Sequence, residues 1–163
     1  MMQLANRLRR RWRACPFAHD RRGASAVEFA IVVSPFIVLL LWLLQLGIYF
    51  MTQVALDNGL ISEAESIRES LVAGSLPSAS TIKAGVVTSA GALVSNNSTL
   101  AVEVRTMADL DTGPIPIADG FTDYGNTTSV LALRASSQVI SVAPGFGSIN
   151  TVTSTALVRR QGS

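Results

Sequence analysis

The 23 residues from Phe29 to Met51 carry no charge, and the only polar side chains among them are Ser34, Gln45 and Tyr49. At a rise of ~1.5 Å per residue such a run spans roughly 35 Å as a helix, enough to cross a bilayer core of ~30 Å. That single segment limits what the chain can become. With 163 residues in all, the length suits one small domain plus an anchor. A secretory signal fits less well, because its apolar region is shorter and a small-x-small cleavage site follows it. No convincing Ala-x-Ala site follows Phe50. Pro35 lies inside the run, where it removes a backbone donor and frees a carbonyl. It reads either as a residue tolerated in a membrane helix or as a flexible kink point.

Charge orients the segment. Before Gly23 stand seven arginines and one acid, Asp20, a balance of +6. From Ala24 onward six basic residues face ten acidic ones, a balance of −4. Arginines flanking a span stay cytoplasmic, so the N-terminus is expected inside and the C-terminal domain outside. Residues 1–23 then form a basic cytoplasmic leader, with a short amphipathic helix from Met1 to Arg13 against anionic lipid. A nucleic-acid arm is disfavoured, because the arginines abut the span. The single cysteine, Cys15, falls in the leader, so the exported part has no disulfide to staple it.

Between leader and span lies Arg21-Arg22-Gly23-Ala24-Ser25-Ala26-Val27-Glu28-Phe29. A carboxylate at the head of an apolar helix is costly unless it has a partner. The order of basic leader, glycine, glutamate, aromatic residue and long apolar helix resembles the type IV pilin family. It most closely resembles the TadE-like minor pseudopilins of the tight-adherence (Tad) pilus, whose TadF-like relatives share the same block. The resemblance implies that a prepilin peptidase cuts between Gly23 and Ala24. Glu28 would then pair with the new α-amine of a neighbouring subunit as the filament assembles, and Phe29 matches the aromatic that follows the glutamate. Partners implied in the same way are the prepilin peptidase, other Tad pilins and pseudopilins, the inner-membrane assembly platform and the lipid bilayer. The major Tad pilins are short chains that stop soon after the helix, whereas this chain continues for about 110 residues.

The remainder reads as an α+β domain. The transmembrane helix is expected over 24–51 and the extracytoplasmic domain over 52–163. A stem helix over 52–73 carries Leu60, Ala64, Ile67 and Leu71 on one face, at helical spacing. Gly59 is its expected weak point, and Gly74 with Pro77 its stop. A second helix over 78–95 is capped by Ser78 or Ser80 and closed by Asn96-Asn97. Strands are expected at about 99–106, 129–140 and 150–159, with the turn Pro144-Gly145-Phe146-Gly147 between the last two. One apolar face per strand needs a cover, which the stem helix supplies. The connection 108–128, rich in Asp, Gly and Pro, is long enough to be functional or mobile.

Enzymatic chemistry has little to work with. Past Gly23 there is no His and no Cys, which removes Ser-His-Asp and Cys-His catalysis and most zinc sites. Asp109 and Asp111 begin like a calcium loop, but Gly113-Pro114 and Gly120 stand where further ligands are needed. No cofactor or metal is expected, and the chain reads as a non-enzyme. Two functions follow: a pseudopilin acting in pilus biogenesis, adherence and biofilm formation, or an uncleaved single-span anchor for a binding or sensor domain.

Overall fold

The computed structural model describes residues 21–95, 99–126, 128–143, 145 and 150–159. The expected leader helix, the Asn96-Asn97 end and all but Gly145 of the turn at 144–147 lie outside them. Internal packing divides the chain into two units, Met1–Leu40 and Leu41–Ser163. The described elements are α1 (Arg21–Val72), α2 (Ala79–Ala90), α3 (Ala92–Ser95), β1 (Ala101–Thr106), α4 (Met107–Leu110), β2 (Val130–Gln138) and β3 (Thr151–Arg159). A long apolar helix, shorter helices and a three-stranded antiparallel sheet give the α+β arrangement that the patterning implies.

Within the first unit, α1 begins at Arg21 and runs through Pro35. The Ser34 hydroxyl donates to the Ala30 carbonyl at 2.6 Å, adjoining the place where proline removes a helical donor. Most of its apolar side chains stay exposed, among them Phe29, Ile31, Val32 and Phe36.

In the second unit the inward face of α1 is a continuous stripe. Gln45, Thr52, Leu56, Leu60, Glu63, Ala64 and Ile67 are all buried, at spacings that keep them on one side of a helix. The stripe therefore starts well before the four residues that the sequence pattern singles out. Gly74 ends the helix at φ 76°, and the Ser75 amide donates back to the Ser70 carbonyl, the αL termination that glycine favours. The expected helix over 78–95 is two pieces. Gly91, at φ 75°, caps α2 and separates it from α3. Ser78 is the N-cap, accepting from the Thr81 amide.

Gly59 acts as a point of contact. A Cβ there would lie 2.9 Å from Ala90 Cβ and 3.1 Å from the Val86 carbonyl oxygen, so the missing side chain lets α2 lie directly on α1.

The strands form a meander in the order β1-β2-β3. Val102, Val104, Leu131, Leu133, Ala135, Val152 and Val158 join Leu56, Leu60, Ile67, Ile82 and Val86 in one core cluster. The connection after β1 does not float. Gly120 N–H donates to the Val102 carbonyl, Val104 N–H to the Phe121 carbonyl and Asp123 N–H to the Val104 carbonyl. Residues 120–123 thus pair along the outer edge of β1 and cover a row of groups otherwise open to edge association. Asp119 adds to this, taking a 2.7 Å salt bridge from Lys83 of α2 and accepting the Val102 amide.

Candidate processing and assembly site

The residues that the sequence marks as a processing site lie in the first turns of α1. Gly23 and Ala24 are helical, and a Cβ on Gly23 would meet nothing within 4 Å. A protease needs an extended substrate, so cleavage at this bond requires the first turn of α1 to unwind. Glycine makes that inexpensive, since it disfavours a helix by about 1 kcal/mol relative to alanine. Glu28 lies four residues beyond Ala24, which puts the two positions on one helix face, one turn apart. Both Glu28 and Phe29 are exposed, Phe29 to 68%. A new amine at Ala24 would therefore stand about one turn from the exposed Glu28 carboxylate. Pro35 lies in the same unshielded stretch, two turns on.

The helix is long and apolar enough to cross a membrane, and none of its most apolar window is buried. The Gln45 side chain, inside the expected span, packs against the domain. It is 1% exposed, its Nε2 donates to the Ile140 carbonyl at 3.0 Å, and its Oε1 accepts the Val142 amide at 2.7 Å and the Ala143 amide at 3.3 Å. From Gln45 onward, one side of α1 belongs to the domain, before the expected boundary at Met51.

A second polar cluster was not apparent from the pattern of β1. Glu103 is fully buried. It faces Arg134 in the β1–β2 register, accepts from Arg134 Nη1 at 2.8 Å and Arg105 Nε at 3.1 Å, and takes the Ala118 amide at 2.8 Å. Arg134 Nη2 also donates to the Ile115 carbonyl, and the Arg105 guanidinium stacks 4.1 Å from the Phe121 ring centroid. These contacts clamp the connection to the sheet at Ile115, Ala118 and Phe121. Strict alternation marks Glu103 and Arg105 as a solvent face. The usable signal was the long connection nearby, which is what covers them.

Comparisons with curated proteins and with solved structures return no match. Residues 23–60, from the glycine at the head of α1 to Leu60 in its buried stripe, match the family model described as TadE-like protein, a similarity consistent with a protein of the Tad pilus system.

Proposed function

We propose that this protein is a minor pseudopilin of the Tad pilus. A prepilin peptidase cuts it after Gly23, and the apolar part of α1 holds it in the inner membrane with its C-terminal domain outside. It then enters a pilus or its assembly base through helix packing and contributes to adherence and biofilm formation. The observation that carries this reading is the position of Gly23, Glu28 and Phe29 at the head of an unshielded apolar helix, inside the TadE-like segment. Glu28 has a chemical task in this scheme. Pairing with the freed amine of a neighbour at Ala24 neutralises both charges where water is scarce, which a lone carboxylate cannot do. Packing then proceeds over the apolar helix surface, alongside other Tad pilins and the assembly platform.

The test has two parts. The intact mass of the membrane-extracted protein, made with and without the peptidase, should show a chain starting at Ala24 only when the enzyme is present. Glu28→Leu should insert normally and lose piliation and surface attachment. A full-length chain under both conditions, with attachment untouched by Glu28→Leu, would leave an uncleaved anchor carrying a binding or sensor domain.

A further inference from the structure

The β2–β3 connection reaches back to α1 at an unexpected height. Its first residues are fixed by Gln45, which bonds the Ile140 carbonyl and the Val142 and Ala143 amides. Gln45 stands inside the uncharged run Phe29–Met51. The neighbouring side chains of α1 are apolar and outward: Trp42, Leu43, Leu44 and Leu46 are all exposed. On the connection itself Ile140 is 59% exposed and Val142 47%, while Val139 and Ala143 on either side turn inward. From Val139 to Asn150 the sequence contains no charged residue.

The geometry points to a lipid contact: we propose that Ile140 and Val142 enter the interfacial zone of the bilayer beside Gln45, seating the domain on the membrane surface. The occupant is lipid because Gln45 holds the patch beside the apolar run. Both carry exposed aliphatic side chains and no charge, and α1 adds in Trp42 an aromatic residue of the kind that gathers at membrane interfaces. Gln45 is what makes the contact feasible. An amide side chain in an apolar run is costly alone, and here the polar backbone of the connection satisfies it on both its donor and acceptor atoms. Residues 24–44 then remain for the crossing, 21 positions or roughly 31 Å of helix against a hydrocarbon core of ~30 Å, with Glu28 one turn from the cytoplasmic end.

This inference rests on the membrane anchorage read above, and its experiment separates the two. The full chain, with Cys15→Ser to clear the background thiol, is reconstituted into phospholipid vesicles as three single-cysteine variants: Ile140→Cys, Leu39→Cys within the apolar run, and Asp111→Cys on the far connection. Each carries an environment-sensitive fluorophore and is quenched either by nitroxide-labelled lipid or by aqueous iodide. The expected result is several-fold stronger lipid than iodide quenching at positions 39 and 140, with the reverse at 111. Strong lipid quenching at 39 with iodide quenching at 140 would overturn the lipid contact while leaving the anchor intact. Shielding of 140 from both quenchers would also overturn it, in favour of a protein occupant. Iodide quenching at 39 would remove the anchor itself, and with it the basis for this contact. Val142→Cys provides an independent second site.

Discussion

Replacing Glu103 by leucine should detach the 107–128 connection from the sheet. The side chain is fully buried and accepts three hydrogen bonds, from Arg134, Arg105 and the Ala118 amide. Removing one member of a buried ion pair costs ~3–5 kcal/mol, because the partner charge stays behind without compensation. Here the two arginine side chains keep 15% and 18% exposure, so water relieves part of that cost. The Ala118 amide adds a lost acceptor worth about 1 kcal/mol or more. A net loss of about 3 kcal/mol is therefore expected, a large share of the stability of a small domain.

Two readouts check the reasoning. Urea unfolding of the full chain in detergent micelles should report the lower stability of the domain. Hydrogen exchange should rise at the Gly120 and Asp123 amides, which bond the edge of β1, more than at the β2–β3 ladder. The double variant Glu103→Leu/Arg134→Leu should be less destabilised than the sum of the single variants, since it removes one stranded charge along with its partner. A single variant that loses under ~1 kcal/mol and leaves exchange at 118–123 unchanged would refute the clamp.

Gly59→Val should destabilise the domain by about 1–3 kcal/mol through overpacking against Ala90 and the α2 backbone, with Ala90→Gly restoring part of the loss in thermal melts. Glu63 is buried on α1 beneath Gly85, where an added Cβ would collide with its carboxylate, and burial raises its pKa above the ordinary value of 4.5. A raised folded pKa gives a stability contribution that is complete below 4.5 and is lost as pH rises through the folded value. Melting temperature should therefore climb as pH falls from neutral toward 4.5, and Glu63→Gln should abolish that slope and exceed the parent chain at neutral pH. Asp119 behaves oppositely: the hydrogen bond from Lys83 lowers its pKa below 3.8, so its small contribution is lost only on stronger acidification, and Lys83→Met should reduce acid resistance slightly.

Patterns of period two and period 3.6 were enough to identify the helix-plus-sheet architecture, because they report which face of each element is covered. The strands Ala101–Thr106, Val130–Gln138 and Thr151–Arg159 fall on runs of period two, and Leu60, Ala64 and Ile67 lie on the buried face of α1. The patterns failed where a covering element came from far away in sequence. Glu103 and Arg105 alternate correctly for a solvent face, yet the connection around Ile115, Ala118 and Phe121 folds over them. Gly59 looked like a defect in a helix because its compensation, contact with Ala90, is 31 positions away.

Gln45 shows the same limit at the membrane. Hydropathy averages over a helix all the way round, and the run to Met51 is apolar on every side except for a few isolated positions. The domain, however, binds one side only. Gln45 and Thr52 face inward with Leu56 while Leu46, Phe50, Met51 and Val54 stay exposed, so along these turns the helix has one face in protein and the other still apolar. A hydropathy window has no term for such a split and sets the boundary at the last apolar residue. The informative residue was the one that breaks the run. A glutamine carries two donors and two acceptor sites in a single amide, so its presence among leucines calls for polar partners that accept and donate together. Residues 140–143 provide that partner, and the place where protein contact begins on α1 follows from satisfying one amide rather than from summing hydrophobicity.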